Sequence, residues 1–278
     1  TINYLVATHP HADHIGGMSY VIKNLNIIHM YMPKKSTNTK TFENLLQTIL
    51  DMNISVEKAE SGTEILNTGN LKIGILAPDS EAYKNLNNYS AVIKMDYKNT
   101  SFLFMGDAEK ETEVKLQDED VQADVLKVGH HGSDTSSTTA FLEKVSPKYA
   151  IISCGKNNKY GHPDKDTMDK LQSMEIQVYR TDKQGTVTVT SDGKNLNWSA
   201  APCNDYTPGD ESDKGTVTEQ TVTKQTTQKV TEDQVWVSAT GSKYHKTNHC
   251  GNMNPDTAKK ETKEEAEAQG LKPCGKCY

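Results

Sequence analysis

Four side chains able to hold a metal ion, His9, His11, Asp13 and His14, fall within six residues in the stretch THPHADHIGG, residues 8–17. An apolar strand pattern, Tyr4–Ala7, runs straight into them, which places them on a loop at a strand's C-terminal end. His9 and His11 are two apart, and in an extended segment that spacing points both imidazoles the same way. Asp13 and His14 follow as the chain turns into a helix, with Gly16 and Gly17 letting the backbone turn tightly beneath. Two histidines for one metal ion and an Asp/His pair for a second is the reading that follows. A histidine-rich loop without metal is the alternative, and a poor one directly after a buried strand.

Further polar residues sit at strand ends. Asp107 follows Phe102–Met105 and a glycine, so its carboxylate emerges at a strand terminus, where it could also cap the helix beginning near Glu109. His130 and His131 follow the apolar strand Val125–Val128. One of the pair completes the second metal and the other faces substrate; His131 is the preferred ligand and His130 the catalytic alternative. His162, in YGHP, reads as a catalytic or substrate contact or a plain loop histidine. Asn88 and Ser90 of NNYS are candidates for substrate or metal contact, weighed against ordinary turn residues, and Ser133 of HHGS is a candidate for substrate contact. Between His14 and Asp107 the only other histidine is His29, poorly placed for ligation.

The elements around these residues imply an α/β domain over residues 1–201. Strands are expected at Tyr4–Ala7, Leu71–Leu76, Ala91–Met95, Phe102–Met105, Val125–Val128, Ala150–Ser153, Gln177–Arg180 and Thr186–Thr190. Helices are expected at Met18–Leu25, Thr41–Met52, Glu109–Leu116, Thr139–Lys144 and Asp166–Met174. Short spacing between 91–95 and 102–105 points to an antiparallel pair there. Residues 202–234 read as a flexible linker: residues 202–233 hold eight Thr and seven acidic residues against three Val, too little apolar surface to offset chain entropy. Residues 235–278 read as a small second domain.

With HxHxDH and these later segments in hand, the chain resembles the metallo-β-lactamase superfamily. The version THPHADHIGG most resembles the metallo-β-lactamase domain of the DNA-uptake channel ComEC and its free-standing secreted relatives. FLFMGDAEKETE at 102–113, ADVLKVGHHGSDTSS at 123–137 and IISCGKNNKYGHP at 151–163 follow in the family's order. The resemblance implies an αββα sandwich, Asp107 bridging two metal ions, and one of His130/His131 as a ligand. Many family members carry a third metal-binding histidine where this chain has NNYS, a segment typical of the ComEC-like subgroup. That leaves the first metal two imidazoles, the shared carboxylate and water. The chain opens at Thr1 already inside a strand pattern, so an N-terminally truncated version of the fold is expected.

Two divalent ions roughly 3.5–4 Å apart lower the pKa of a bridging water and clamp the attacked group. A bridging hydroxide is then the expected nucleophile, with zinc or manganese as the metal and Asp13, His130 and His162 assisting. The resemblance points to a phosphodiesterase or nuclease, hence to nucleic acid or another phosphodiester as partner. An ester, amide or thioester hydrolase on the same site, or a non-catalytic binding protein, are the competing readings. No G-x-S-x-G elbow is present.

The last segment carries Cys250, Cys274 and Cys277, with His245 or His249, a set suited to one structural zinc. Its pattern resembles a small Ada-like zinc-binding domain, which favours His245; a C-x-x-C redox pair or disulfide is the rival. About 44 residues are too few for a self-sufficient apolar core, so a metal is expected there. Cys154 reads as a buried thiol, and Cys203 carries no assignment. The net charge of −6 argues against a broad basic face for nucleic acid. No apolar run approaches the roughly 20 residues that span a bilayer. The linker and the family imply an extracellular or cell-surface location, with cell-wall association as one role for the small domain.

Overall fold

The structure is a computed structural model and describes residues 1–79, 82–209, 234–238, 242–245 and 258–275. The chain divides into two compact units, Thr1–Val217 and Thr218–Tyr278.

The first unit opens with β1 (Ile2–Val6), α1 (Ala12–Ile15), α2 (Met18–Asn24), β2 (Ile27–Met32), α3 (Lys40–Asp51) and β3 (Val56–Lys58). The three strands form one parallel sheet in the order β1-β2-β3. Strand alternation divides its side chains between two faces. Leu5, Ala7 and Met30 join Ile22 of α2 and Phe42, Leu45 and Ile49 of α3 in one apolar cluster. Tyr4, Val6 and Tyr31, on the opposite face, join a second cluster with residues of the neighbouring sheet. Thr39 caps α3 by accepting the Phe42 N–H.

The larger sheet uses β4 (Thr63–Asn67), β5 (Leu71–Ala77), β6 (Val92–Tyr97), β7 (Thr100–Phe104), β8 (Val125–Lys127), β9 (Tyr149–Ile152) and β10 (Gln177–Arg180). Its order is β10-β9-β8-β7-β6-β5-β4. The β4 to β7 meander is antiparallel and β7 to β10 are parallel. Between them run α4 (Lys110–Lys115), α5 (Thr139–Val145) and α6 (Lys165–Ser173). Ile65, Ile73 and Ile75 face the first sheet. Leu103, Leu126, Ala150, Ile152 and Val178 face outward onto Phe141, Leu142 and Val145 of α5 and Met168 and Leu171 of α6. The layers therefore run helix, sheet, sheet, helix, as the resemblance implied.

After β10 come α7 (Thr181–Gln184) and the hairpin β11 (Val189–Ser191) with β12 (Leu196–Trp198). Trp198 stacks on Tyr179 with ring centroids 4.0 Å apart. The expected strand at 186–190 is realised later, as β11. β2, β3 and β4 were not expected; Ile-Ile-His-Met-Tyr-Met is too short and evenly apolar for periodicity to separate strand from helix.

The first residues of the expected linker, 203–209, are ordered against the first unit: the Asn204 N–H donates to Val178 O at 3.2 Å, Tyr206 Oη to Ile176 O at 2.8 Å, and the Gly209 N–H to Pro163 O at 2.8 Å. Partners on β10, at Ile176 and at Pro163 satisfy this segment despite its polar composition.

The second unit holds β13 (Gln234–Val237), β14 (Lys243–His245), β15 (Lys259–Thr262), α8 (Lys263–Ala268) and β16 (Lys272–Pro273), with strand order β15-β13-β14-β16. Its core is small: Val235, Val237, Tyr244 and Ala266, with Leu271 against them. β14 and β16 are parallel with Tyr244 opposite Pro273, so one step on His245 lies beside buried Cys274. The Cys274 N–H donates to Tyr244 O at 3.0 Å. Cys250, Cys277 and His249 lie outside the described residues.

Candidate metal centre

The parallel strands β7, β8 and β9 deliver their share of the site's residues to one edge, because the C-terminal ends of neighbouring parallel strands emerge on the same side. The loop after β1 brings His9 to His14, the turn after β7 brings Asp107, and the turn after β8 brings His130 and His131. The long loop after β9 brings His162.

Asp107 lies at the centre, 2% exposed. Its Oδ1 is 3.1 Å from His14 Nε2 and 3.5 Å from His131 Nε2, while Oδ2 is 3.5 Å from His9 Nε2. Each carboxylate oxygen thus faces a different group of imidazoles. Two sets of donors lie within ligand-sharing distance: His9, His11 and Asp107, and Asp13, His14, Asp107 and His131. Within the first, His9 Nε2 and His11 Nδ1 are 3.0 Å apart. Within the second, His131 Nε2 is 3.2 Å from both His14 Nε2 and Asp13 Oδ2.

These spacings suit cations. A tetrahedral ion with bonds of about 2.0–2.1 Å sets its nitrogen donors roughly 3.3 Å apart. Neutral imidazole lone pairs held that close repel one another unless a proton or metal lies between them. Asp107 Oδ1 has no hydrogen-bond donor although it is buried, which is the condition of an oxygen reserved for a metal. The donor set therefore fits two divalent ions sharing Asp107. Asp107 does not cap the following helix, because the capping position of α4 is Glu109.

The groups behind the donors fix their orientation. The Asp107 N–H donates to Ser90 Oγ at 2.9 Å, and the same oxygen lies 3.2 Å from His9 Nδ1. Thr8 Oγ1 lies 3.3 Å from the Nδ1 atoms of both His9 and His14. His131 Nδ1 donates to Ser153 O at 2.6 Å, which leaves Nε2 free to ligate. Burial, with His14 beside it, pushes His9 down to about 3, so it is a neutral donor. Burial alone would raise the Asp107 carboxyl, but the adjacent His14 imidazole, with those of His131 and His9, holds it well below the usual range. A neutral imidazole and an ionised carboxylate are the forms that bind metal.

His130 and His131 part company here. Both adopt left-handed backbone, at φ 46° and φ 56°, which costs energy in a non-glycine residue and turns consecutive rings in different directions. His131 points into the second donor set. His130 points its Nδ1 at Thr135 Oγ1, 3.1 Å away, and Glu109 Oε1, 3.4 Å away, with Nε2 4.0 Å from Asp107 Oδ2. Glu109 Oε1 also accepts from Asn87 Nδ2 at 2.9 Å and Thr135 Oγ1 at 3.1 Å, and Oε2 from Asn85 Nδ2 at 2.9 Å. Burial opposes protonation of His130, yet the Glu109 hydrogen bond and the Asp107 charge raise its pKa above the ordinary value. Glu109 had no assigned role in the sequence; its signal was its place two residues after Asp107.

The remaining candidates are placed unequally. The His162 ring lies 5.6 Å from that of His130, and its Nδ1 lies 3.1 Å from Asp164 Oδ2, at the rim of the cluster. Asn88, Ser90 and Ser133, expected as substrate contacts, are buried and hydrogen-bonded within the first unit. Asn88 Oδ1 accepts from the Glu109 N–H and Thr112 Oγ1, both at 2.9 Å, holding the start of α4. Ser90 supports His9 and Asp107 from behind. Ser133 is taken up by the turn after His131, where its Oγ accepts the Thr135 N–H at 3.3 Å. His29 lies on the surface, with Nδ1 2.9 Å from Glu57 Oε1. Cys154 is half-buried, its thiol pushed up to about 12 by burial, and is inert as a nucleophile.

Residues 1–156 match the Metallo-beta-lactamase superfamily. ComE operon protein 3 of Bacillus subtilis is 35% identical over 188 residues, covering 67% of this chain and 24% of that protein. Recombination protein 2 of Haemophilus influenzae is 29% identical over 185 residues, covering 66% and 22%. Competence protein ComA of Neisseria gonorrhoeae is 33% identical over 115 residues, covering 40% and 17%. The chain therefore spans about a quarter of the length of these relatives, or less. Among solved structures, the diiron β-hydroxylase CmlA of Streptomyces venezuelae aligns with a TM-score of 0.45 at 14% identity, over 64% of this chain and 43% of that one. The metallo-β-lactamase fold protein YhfI of Bacillus subtilis aligns with a TM-score of 0.41 at 10% identity, over 70% and 77%. Family match and donor geometry agree: this chain belongs to the metallo-β-lactamase superfamily, as a ComEC-like metal-dependent hydrolase.

Proposed function

We propose that the chain is a dinuclear metal-dependent phosphodiesterase whose substrate is nucleic acid or a related phosphodiester. The observation that carries this reading is Asp107, buried, with its two oxygens facing separate histidine sets. In this reading His9 and His11 would hold one ion, Asp13, His14 and His131 the other, and Asp107 both. Two such ions, zinc or manganese, would supply an activated water and neutralise charge that builds on the attacked phosphoryl group.

The chain's own groups do the rest. His130, braced by Glu109 and Thr135, turns its Nε2 toward the site and supplies a proton to the departing oxygen, a role worth roughly 10²–10⁴ in rate. Glu109 keeps the ring oriented and stabilises its charged form. His162 stands beside His130 at the rim, where a non-reacting phosphate oxygen would lie. Ser90 and Thr8 hold His9 and His14 from behind, so donors need little reorganisation when metal enters. Relatives named for competence and recombination support a nucleic-acid substrate, as does the phosphodiester chemistry suited to paired metals.

In the second unit, His245 beside Cys274, with Cys250 and Cys277, is the proposed set for one structural zinc. The small apolar core there supports it. A surface or extracellular setting remains part of the proposal, resting on composition and family.

The experiment is hydrolysis of labelled single-stranded DNA and of bis(p-nitrophenyl) phosphate with zinc or manganese, with Asp107→Asn beside the parent chain. Cleavage that disappears in the variant is the expected result. Two bound metals in the first unit without phosphodiester cleavage would overturn the reading in favour of an ester, amide or thioester substrate.

A further inference from the structure

We propose that residues 203–209 form a strap that positions His162, with Arg180 and Gly209 as its positioning residues. The inference rests on the reading of His162 as a substrate-facing side chain.

Arg180, at the end of β10, is the largest fully buried side chain described. Its Nε and Nη2 donate to the two carboxylate oxygens of Asp182, at 3.0 and 2.7 Å, which neutralises its charge. Nη1 then donates to two backbone carbonyls of the strap, Asp205 O at 3.0 Å and Thr207 O. A buried guanidinium is costly unless fully satisfied, so these carbonyls are part of its required partner set. The strap is tied to β10 through both backbone groups of Val178: the Val178 N–H donates to Asn204 Oδ1 at 3.0 Å, and Cys203 Sγ donates to Val178 O at 3.3 Å. Asp205 closes a turn by accepting the Thr207 N–H at 3.0 Å.

The far end of the strap meets the site's rim. The Gly209 N–H donates to Pro163 O at 2.8 Å, and a Cβ at Gly209 would collide with the carbonyl oxygens of Gly161 and His162. Only glycine lets the strap lie this close. Asn158 braces the same loop from the opposite side, accepting the His162 N–H at 3.0 Å and donating to His162 O at 2.7 Å. Pro163 in turn packs on the turn that carries His130 and His131: a Cβ at Gly132 would lie 2.6 Å from Pro163 Cβ, and the Asp164 N–H donates to Gly132 O at 2.9 Å. A continuous set of contacts therefore runs from Arg180 through the strap to His162 and Gly132. Gly209 touches no proposed metal ligand and no substrate position; what it can change is where His162 stands.

The test uses the full chain loaded with zinc, with Gly209→Ala, His162→Ala and the double variant. Turnover of bis(p-nitrophenyl) phosphate by Gly209→Ala should fall about tenfold, in the range of orienting contacts, with the melting temperature changed by no more than about 2 °C. In the His162→Ala background the same change should cost less than about twofold, because coupled residues are not additive. Equal losses in both backgrounds, or no loss in either, would overturn the proposal. Histidine ¹³Cε1–¹Hε1 spectra provide a reading that needs no turnover. Gly209→Ala should move the His162 and His130 cross-peaks and leave that of surface His29 in place. If the parent chain does not cleave the phosphodiester, the functional reading fails, and unmoved His162 and His130 peaks would separately sink the strap.

Discussion

The two walls of the metal centre are built in different ways. One is a single segment, residues 8–14, whose donors His9, His11, Asp13 and His14 lie on the loop leaving β1 and the first turn of α1. The other is assembled from the ends of β7, β8 and β9, so that His131 meets His14 across 117 residues of sequence. Local spacing builds the first wall; sheet topology builds the second. Asp107 joins them, and its loss is the largest effect expected. Asp107→Asn should reduce hydrolysis by about a thousandfold or more, the scale of removing a central electrostatic group, and reduce metal content to one ion or fewer in the first unit. Retention of two ions would show that the walls hold their metals independently.

The second-wall histidines sharpen the contrast, since neighbours in sequence are given opposite tasks. His131→Ala should remove one ion, because Nε2 belongs to the second donor set and Nδ1 is fixed by Ser153 O. His130→Ala should keep both ions while turnover falls roughly 10²–10⁴-fold. Metal analysis beside kinetics separates the two, and loss of metal in both variants would collapse the distinction.

How far the sequence disclosed this site follows from the same contrast. HxHxDH was legible because its chemistry and its spacing lie in one segment, and the strand before it could be read from four residues. The parallel strands Val125–Lys127, Tyr149–Ile152 and Gln177–Arg180 were legible as apolar runs, which buried parallel strands become. His130 and His131 point different ways because of the left-handed turn, a feature that two adjacent histidines do not announce. Asn88, Ser90 and Ser133 have the residue types of substrate contacts, but burial gives them to the framework behind the site. The polar strap 203–209 read as linker because its hydrogen bonds are made with β10, and composition cannot register partners so distant.

Glu109 tests how much the second wall depends on contacts that motif spacing hides. It accepts from Asn85, Asn87 and Thr135 and faces His130. Its pKa is held below the ordinary carboxylate value: burial opposes this, but the His130 hydrogen bond outweighs it. Glu109→Gln keeps the size and can still bond Thr135 but removes the charge that stabilises protonated His130. Turnover should fall about 10–100-fold, as for outer contacts of a metal site, with metal content unchanged. A loss confined to KM would point to substrate positioning instead of ring orientation.

Ser133 should give the smallest effect and is the cleanest check on the buried candidates. It is 3% exposed, its Oγ is engaged by the Thr135 N–H and lies 3.1 Å from Thr135 Oγ1, and its carbonyl accepts from Thr167 Oγ1 at 2.9 Å. A serine that touched substrate would show its loss mainly in KM. A serine that only closes the turn should cost about 1 kcal/mol of stability, the net worth of one hydrogen bond, and change kcat/KM by less than about threefold. Ser133→Ala measured by thermal melting and phosphodiester turnover distinguishes the two. A tenfold rise in KM with an unchanged melting temperature would return Ser133 to the substrate and mean that the turn opens when substrate binds. The expected result keeps substrate recognition with His130 and His162, on the wall that topology, not local spacing, assembles.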